Sequence, residues 1–494
     1  MTVAIFDTAP PLETDACRRA SWLRWLPSAL FAVAAIARQA TTWLDCDVSW
    51  LLTVGERVLD GQRLYTDIIE TNPPASVLLY LPGIALARAT GTTPELMTAG
   101  LVFLLGIAAI LGSARLLSRA GMLPGRSHPF VVAAAAACFL LLPGYCFAQR
   151  EHIALLLVLP IMAVCALRME GHSVRPTIAI FAGIAAGLTM AIKPHFALAI
   201  GPMILLATRP YRSVAAWCRV ETVAAALVVL IYGAVVLTCF PHFGADMMPM
   251  LRAAYLPSRA ALPRLLATGW FILTGASLLL ALAIAPRRAT RTTLGLPLLA
   301  SAGFAVAALI QGKGYINHGY PALALALFGL ALVFADGRRN VPGRKIGVFL
   351  GIVFFGVSCR MLLETPDYSQ LVALVRKAGP PHPRMLTVGG DLAVSFPVVR
   401  WVGGNWVERQ HSLWITANAP AIHPTDPAKR AELARYVALD ERMFVADVTR
   451  GRPDIVLIQG DEGLRWIASH PAVAAVLSHY RHVDRIGDVI VWAA

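Results

Sequence analysis

The sequence predicts an all-α polytopic membrane protein of about eleven transmembrane helices, followed by a small C-terminal α/β domain on the extracytoplasmic side. Three observations carry this. Of 494 residues, 57% are hydrophobic and only 15% charged, and the mean hydropathy is +0.63, an apolar excess over ordinary soluble domains. Apolar segments of bilayer length, or nearly so, recur as far as residue 363. Beyond about residue 364 the pattern changes to polar loops, proline punctuation at Pro380, Pro381 and Pro383, and amphipathic runs of ordinary length.

The first apolar run, 26–37, follows Arg18, Arg19 and Arg24 and ends in Ala35-Ile36-Ala37, as a secretory leader would. It reads as an uncleaved signal anchor over 22–42, because the loop after it makes best sense held beside a helix. Further spans are expected near 95–115, 129–147, 152–168, 176–193, 195–209, 217–240, 265–285, 294–310, 320–335 and 346–363. The segment 74–89 is short and carries Pro74 and Pro82 directly after Pro73.

Loop charge decides how that segment is read. The clusters Arg115/Arg119/Arg126, Arg168/Arg175, Arg209/Arg212/Arg219, Arg287/Arg288/Arg291 and Arg338/Arg339/Arg344/Lys345 fall on one face only if 74–89 does not cross. It is then an interfacial or re-entrant helix on the outer side. This places the N-terminus in the cytoplasm, a first outer loop at 43–94, a membrane domain at 1–363 and an external domain at 364–494. In that domain, β-like runs at 385–388, 454–459 and 488–492 alternate with helical stretches near 428–445 and 461–477.

The formal charge of +14 brings no nucleic-acid recognition motif with it, and the arginines sit in short clusters between apolar runs, so nucleic acid is not an expected partner. Eight cysteines show neither a CxxC pair nor a metal-ligand spacing, so neither a disulfide framework nor a zinc site is indicated. Gly312-Lys313-Gly314 lacks the spacing of a phosphate-binding P-loop. No cofactor is expected, although the acidic loop carries oxygen donors of the kind a divalent metal takes.

The chemistry concentrates in the first outer loop. Asp45-Cys46-Asp47-Val48-Ser49-Trp50 is followed by Gly61 to Asp67, then Glu70 and Asn72-Pro73-Pro74. Val48, Leu51, Leu52, Val54, Val58 and Leu59 against Glu56, Arg57 and Asp60 predict an amphipathic surface helix stopped at Gly61, with Asp47 at its N-terminus. An isolated aspartate there would be a helix cap. Asp45, Asp67 and Glu70 in the same stretch argue for a task, since ionisable groups near a membrane are costly. The predicted topology also brings Gln149-Arg150-Glu151-His152, Lys193-Pro194-His195 and Gln311 to His318 to the outer ends of helices. Arg150, Lys193, His195, Lys313 and His318 are donors a lipid phosphate would need. Each taken singly reads equally well as a snorkelling side chain, Arg150 and Glu151 as a local pair, and Lys193 as a helix end.

A carboxylate with dispersed cations at a membrane surface suits transfer of a group from a lipid-linked phosphate. The carboxylate deprotonates an acceptor hydroxyl as it attacks a sugar's anomeric carbon, and the cations stabilise the departing phosphate. Trp401, Trp406 and Trp414 in the tail would stack on an acceptor sugar, or equally pack a small core or rest at the bilayer interface.

An aspartate just after the first helix, the run Gly61-x-x-Leu64-Tyr65-x-Asp67, Asn72-Pro73-Pro74, and Arg150-Glu151 opening a helix together resemble the GT-C superfamily of integral-membrane glycosyltransferases. The likeness is to the protein-mannosyltransferase and aminoarabinose-transferase-like branch, and runs through about residue 363. It implies a polyprenyl-phosphate sugar donor, inversion at the anomeric centre, no metal, and a loop aspartate as base. Asp47 matches that base, with Asp45 as competitor, because Asp-Cys-Asp stands where many members have one aspartate or Asp-Glu. Asp67, Glu70, Arg150, Glu151, Lys193, His195, Lys313 and His318 become the substrate-binding candidates. The expected acceptor is an envelope glycan, lipid or protein at the periplasmic face of a bacterial inner membrane. A lipid-linked oligosaccharide polymerase or ligase would carry its key residues in a large late external loop. A transporter or flippase would show internal repeats and mid-span polar residues, and neither is visible.

Overall fold

The computed structural model describes residues 22–123, 128–208, 217–285, 295–335 and 343–494. The chain is mostly helical and ends in a small sheet. Among the described residues five helices are long and apolar enough to cross a membrane: Pro94–Arg119, Arg150–Met169, Val220–Cys239, Ile316–Ala335 and Arg344–Leu363. The protein is therefore membrane-embedded, with fewer full-length apolar helices than the eleven expected.

The other expected spans fall on shorter helices, Leu26–Thr41, His128–Ala136, Pro176–Ile192, Ala197–Thr208, Gly269–Ile284 and Gly295–Gln311. A helix of 16 residues such as Leu26–Thr41 is about 24 Å long, short of the roughly 30 Å hydrocarbon core. Local causes are visible. His128–Ala136 passes into a wider π turn at Ala137–Leu141, and Lys193, extended before Pro194, separates Pro176–Ile192 from Ala197–Thr208. Arg18, Arg19, Arg126, Arg209, Arg212, Arg287, Arg288, Arg291, Arg338 and Arg339 lie outside the described residues, so the charge rule for sidedness stays an argument from sequence.

Arg150–Met169 and Ile316–Ala335 are the buried centre of the bundle, whereas Val220–Cys239 turns most of its apolar surface outward. Pro176–Ile192 packs on Val220–Cys239 through Gly183 and Gly187, where an added Cβ would stand 2.2 Å from the Glu221 carbonyl oxygen and 2.5 Å from Val228 Cβ. That is the close small-residue contact by which helices associate in lipid, where no hydrophobic drive separates them from their solvent.

Segment 74–89 forms two short helices, Ala75–Leu78 and Leu81–Thr90. They pack beside the loop helix Cys46–Leu59 and against Pro94–Arg119. Cys46–Leu59 is capped by Asp45, whose carboxylate accepts from the Asp47 amide at 2.8 Å. The chain leaves it through Gly61 at φ +90°, a conformation only glycine adopts readily. Asp47 lies in the first turn, as expected, and the cap role weighed for it belongs to Asp45. The apolar face of the helix is covered by protein: Val48, Trp50, Leu51, Leu52 and Val54 are all buried.

They are buried between the short helices Ala75–Leu78 and Leu81–Thr90 and the C-terminal segment. Its sheet has the order β2-β1-β3-β5-β4, with β1 at Arg384–Val388, β2 at Asn405–Trp406, β3 at Ile455–Gln459, β4 at Arg481–Ile486 and β5 at Val489–Ala493. β1 is parallel to β2 and β3, while β5 runs antiparallel to β3 and β4. The three expected β runs are β1, β3 and β5. Two further strands carry no alternating pattern: β2 is two residues long, and β4 is an exposed edge rich in charge.

Loop and sheet are tied together by several bonds. Arg400 reaches Glu56 at 2.6 Å and Thr53 Oγ1 at 3.1 Å, and also binds Glu95. Arg57 donates to the Glu408 carbonyl at 2.8 Å, and the Ile69 amide to the Arg409 carbonyl at 2.6 Å. Trp50 lies edge-on to Phe396 and His411.

Candidate functional site

The first turn of Arg150–Met169 organises the site. Ala148, immediately before it, takes φ +60°, a strained value for alanine. The backbone is held there from both sides: the Ala148 amide donates to His152 Nδ1 at 3.1 Å, and the Tyr80 hydroxyl donates to the Ala148 carbonyl at 2.8 Å. His152 Nε2 bonds the Phe139 carbonyl at 2.9 Å, so both ring nitrogens of His152 are engaged in shaping the turn. The turn presents Gln149, Arg150 and Glu151, all buried, to the loop that follows the first helix.

Two acid–base lines start from it. In one, Gln149 Nε2 donates to Asp45, and Asn317 Nδ2 donates to Gln149 Oε1 at 3.1 Å. In the other, Arg150 Nη2 reaches Asp47 at 3.5 Å, while Glu151 binds Lys193 Nζ at 2.5 Å and faces His318 Nε2 at 3.7 Å. Lys193 Nζ also donates to Gln311 Oε1 at 2.5 Å. Asp47, Arg150, Glu151, Lys193 and His318, drawn from four places in the chain, therefore form one connected cluster.

The two aspartates differ sharply. Asp45 is 3% exposed, and burial first, then the charge of Asp47, pushes its carboxyl up to about 8. The Asp47 side chain keeps 33% of its surface open. Glu70 is fully buried beside them: it accepts from the Trp50 indole, the Asn72 amide at 2.8 Å and Asn72 Nδ2 at 2.6 Å. It braces the loop. Cys46, between the aspartates, is held as a thiol by burial, which pushes it well above the usual range.

The cluster does not complete its own bonding. Arg150 Nε and Nη1, Glu151 Oε2 and His318 Nδ1 are buried without a hydrogen-bond partner, and so is His195 Nε2 close by. Buried polar groups nearly always have partners, and several open ones converging in one place mark where a polar ligand or ordered water fits. The N–H groups on Arg150 Nε and Nη1 and the His318 nitrogen offer bonds suited to an anion. Among the described residues no three His, Cys, Asp or Glu side chains converge as a metal-ligand set.

Two candidates stand apart. Asp67 is at the surface in an i,i+4 pair with Arg63. Lys313 donates to the carbonyls of Tyr255 at 2.9 Å and Ser258 at 2.6 Å and lies 3.9 Å over the Tyr255 ring. Burial, then the nearby Arg259, lowers Lys313 to about 8. His195 is next to Lys193, its ring edge-on to Phe196.

Other contributors were not named as site residues from the sequence, although Trp50 and Asn72 stand in its motifs. Gln149, Gln311 and Asn317 sit in the polar runs that flagged their neighbours, so helix-end position was the signal available. Trp50 and Asn72 serve Glu70. His411 comes from the distant tail to within 5.8 Å of the Trp50 ring, with nothing in its local sequence to announce it. Comparison with known proteins adds no assignment: no protein-family model matches the chain, and no curated protein matches it.

Proposed function

We propose that this chain is a GT-C-type glycosyltransferase that moves a sugar from a polyprenyl-phosphate donor to an envelope glycan, lipid or protein acceptor at the periplasmic face of a bacterial inner membrane, with Asp47 as general base. The observation that carries this reading is the pairing of a partly open carboxylate, Asp47, with an arginine whose other N–H groups are buried and unpartnered. Asp47 would take the proton from the acceptor hydroxyl as its oxygen attacks the anomeric carbon. The bond from that carbon to the phosphate oxygen breaks in the same displacement, which inverts the centre. The departing polyprenyl phosphate gains negative charge, and the open Arg150 N–H groups and His318 meet it, with strength increased by exclusion from water. Glu151 balances Lys193 and keeps this cationic face from being wholly uncompensated.

Asp45 suits a supporting part. Its oxygens hold the start of Cys46–Leu59 and the Gln149 side chain, which fixes Asp47 against Arg150. Asp67 and Lys313 fall outside the proposed chemistry.

The test is transfer from a polyprenyl-phosphate hexose by the purified protein in lipid, comparing Asp47→Asn with Asp45→Asn. Loss in the first with a smaller effect in the second is expected. Loss only in the second transfers the role to Asp45, and full activity in both ends the enzyme reading. Labelling of single cysteines placed in 74–89 and in the arginine-rich loops tests sidedness; if 74–89 traverses the lipid, the outward-facing site is lost.

A further inference from the structure

The sheet of the C-terminal domain has a topological switch point, and it faces the site. β1 is the neighbour of both β2 and β3. The chain leaving β1 turns toward β2, whereas the chain leaving β3 turns the other way, toward β4 and β5. Open α/β sheets bind ligands in the crevice between two such strands, beyond their carboxyl ends. Here that crevice is made by Gly389-Gly390-Asp391 after β1 and by Gln459 at the end of β3. The Gln459 side-chain oxygen accepts from the Gly390 amide at 2.9 Å and the Asp391 amide at 3.0 Å, which locks the two lips together.

The next residues, Leu392–Val394, pack on the helix Cys46–Leu59, the helix that carries Asp47. Asp391 is exposed. From the same side, His411 lies against Trp50, and Trp414 meets the Tyr255 ring at 6.0 Å. The Trp414 indole N–H is buried and has no partner. Burial is the larger influence on the Tyr315 phenol and on His411; the charges of Asp47 and Asp391 act on both, at His411 after that of Glu70. Tyr315 and His411 thus lie within electrostatic reach of both carboxylates. The other two tryptophans of the stretch 401–414 point elsewhere: Trp401 stacks edge-on to Trp43 at 4.3 Å, and Trp406 packs on Phe396 and donates to the Gln410 carbonyl.

We infer that Asp391, His411 and Trp414, at the carboxyl edge of β1 and β3, form the acceptor site of this protein, and that the acceptor bound there is a sugar. This deepens the glycosyl-transfer reading and rests on it. A carboxylate, an imidazole and a buried indole N–H without a partner match a pyranose, whose hydroxyls both donate and accept. A protein acceptor would be expected to add to an open strand edge. β1 and β3 are interior strands, and only their end loops meet the site.

The experiment uses the full chain in lipid nanodiscs, with two independent readouts. Saturation-transfer NMR reports binding of methyl hexosides and, separately, of a Ser/Thr-rich peptide. Native mass spectrometry reports binding of undecaprenyl phosphate. Asp391→Asn keeps a side-chain oxygen to cap the Ala393 amide, and Trp414→Phe keeps a ring on Tyr255, so both variants preserve the local fold. The expected result is hexoside binding by the parent protein, weakened about tenfold in each variant and unchanged in Trp401→Phe, with lipid-phosphate binding intact throughout. Lipid-phosphate binding without any hexoside signal, peptide binding in place of hexoside binding, or hexoside binding insensitive to both substitutions overturns the inference and leaves the donor reading standing. Hexoside binding with the expected variant pattern but no lipid-phosphate binding supports the sugar site and removes the donor reading instead.

Discussion

Each end of the helix Arg150–Met169 sets an arginine beside a buried glutamate, its own Glu151 at one end and Glu221 of Val220–Cys239 at the other, and the two ends use them differently. At the far end Arg168 meets Glu221 as a fork, Nε to Oε1 at 3.0 Å and Nη2 to Oε2 at 3.3 Å. Both carboxylate oxygens are engaged. At the near end Arg150 touches Asp47 through one nitrogen at 3.5 Å, and Glu151 spends one oxygen on Lys193. Its other oxygen and two arginine nitrogens stay open. A pair that satisfies itself holds helices together; a pair that leaves buried valences open is costly for stability and is arranged for a third group.

The largest way to break this comparison is Asp47→Asn. It should lower sugar transfer by roughly 10²–10⁴-fold, the usual worth of a general base, and lower the unfolding midpoint in detergent by less than Glu151→Gln does, because Asp47 is partly open and Arg150 keeps Glu151 as a neighbouring charge. A large fall in thermal stability would recast Asp47 as structural. Next, Glu151→Gln leaves the buried Lys193 without its counter-charge. It should destabilise the protein by about 3–5 kcal/mol, as breaking one side of a buried pair does, seen as a lowered unfolding midpoint.

A smaller effect concerns pH. Asp45 holds its proton far more tightly in the folded chain, to about 8, than an unfolded aspartate at about 4 does. Its contribution is fully present below pH 4 and is lost as pH rises through 8. Asp45→Asn, a neutral mimic of the protonated acid, should flatten the dependence of the unfolding midpoint between pH 5 and pH 8 by a few degrees. An unchanged slope would mean that Asp45 is ionised in the folded state. The smallest effect is expected at the self-satisfied pair: Arg168→Met combined with Glu221→Leu should be within about 1 kcal/mol of neutral and leave transfer unaltered. Loss of transfer there would erase the contrast between the two ends.

How far the sequence foretold this arrangement follows from what each feature depends on. The bundle was legible because apolar runs are a property of composition, but helix length was not, since Pro194 and the π turn at Ala137–Leu141 act locally. Asp47, Arg150, Glu151, Lys193 and His318 were legible as a group, because each sits at a helix end at the same inferred depth. Their pairing was not. That Glu151 rather than Asp47 takes Lys193, and that Lys313 turns back onto two carbonyls, depends on how helices distant in sequence dock. Asp45 and Asp47 look alike as a motif. Only the turn from Thr42 into Cys46–Leu59 makes one a buried cap and leaves the other open. His411 and Asp391 had no signal, since more than 300 residues separate them from the loop they meet.

The clasp of Arg400 on Glu56 and Glu95 has a practical corollary for anyone producing this protein in pieces. A gene fragment ending near Leu363 would yield a membrane half with two acids deprived of their shared guanidinium and with Trp50 stripped of its cover. Such a truncate would be a poor reagent for assays, and reconstitution from halves would require co-expression so that each folds against the other.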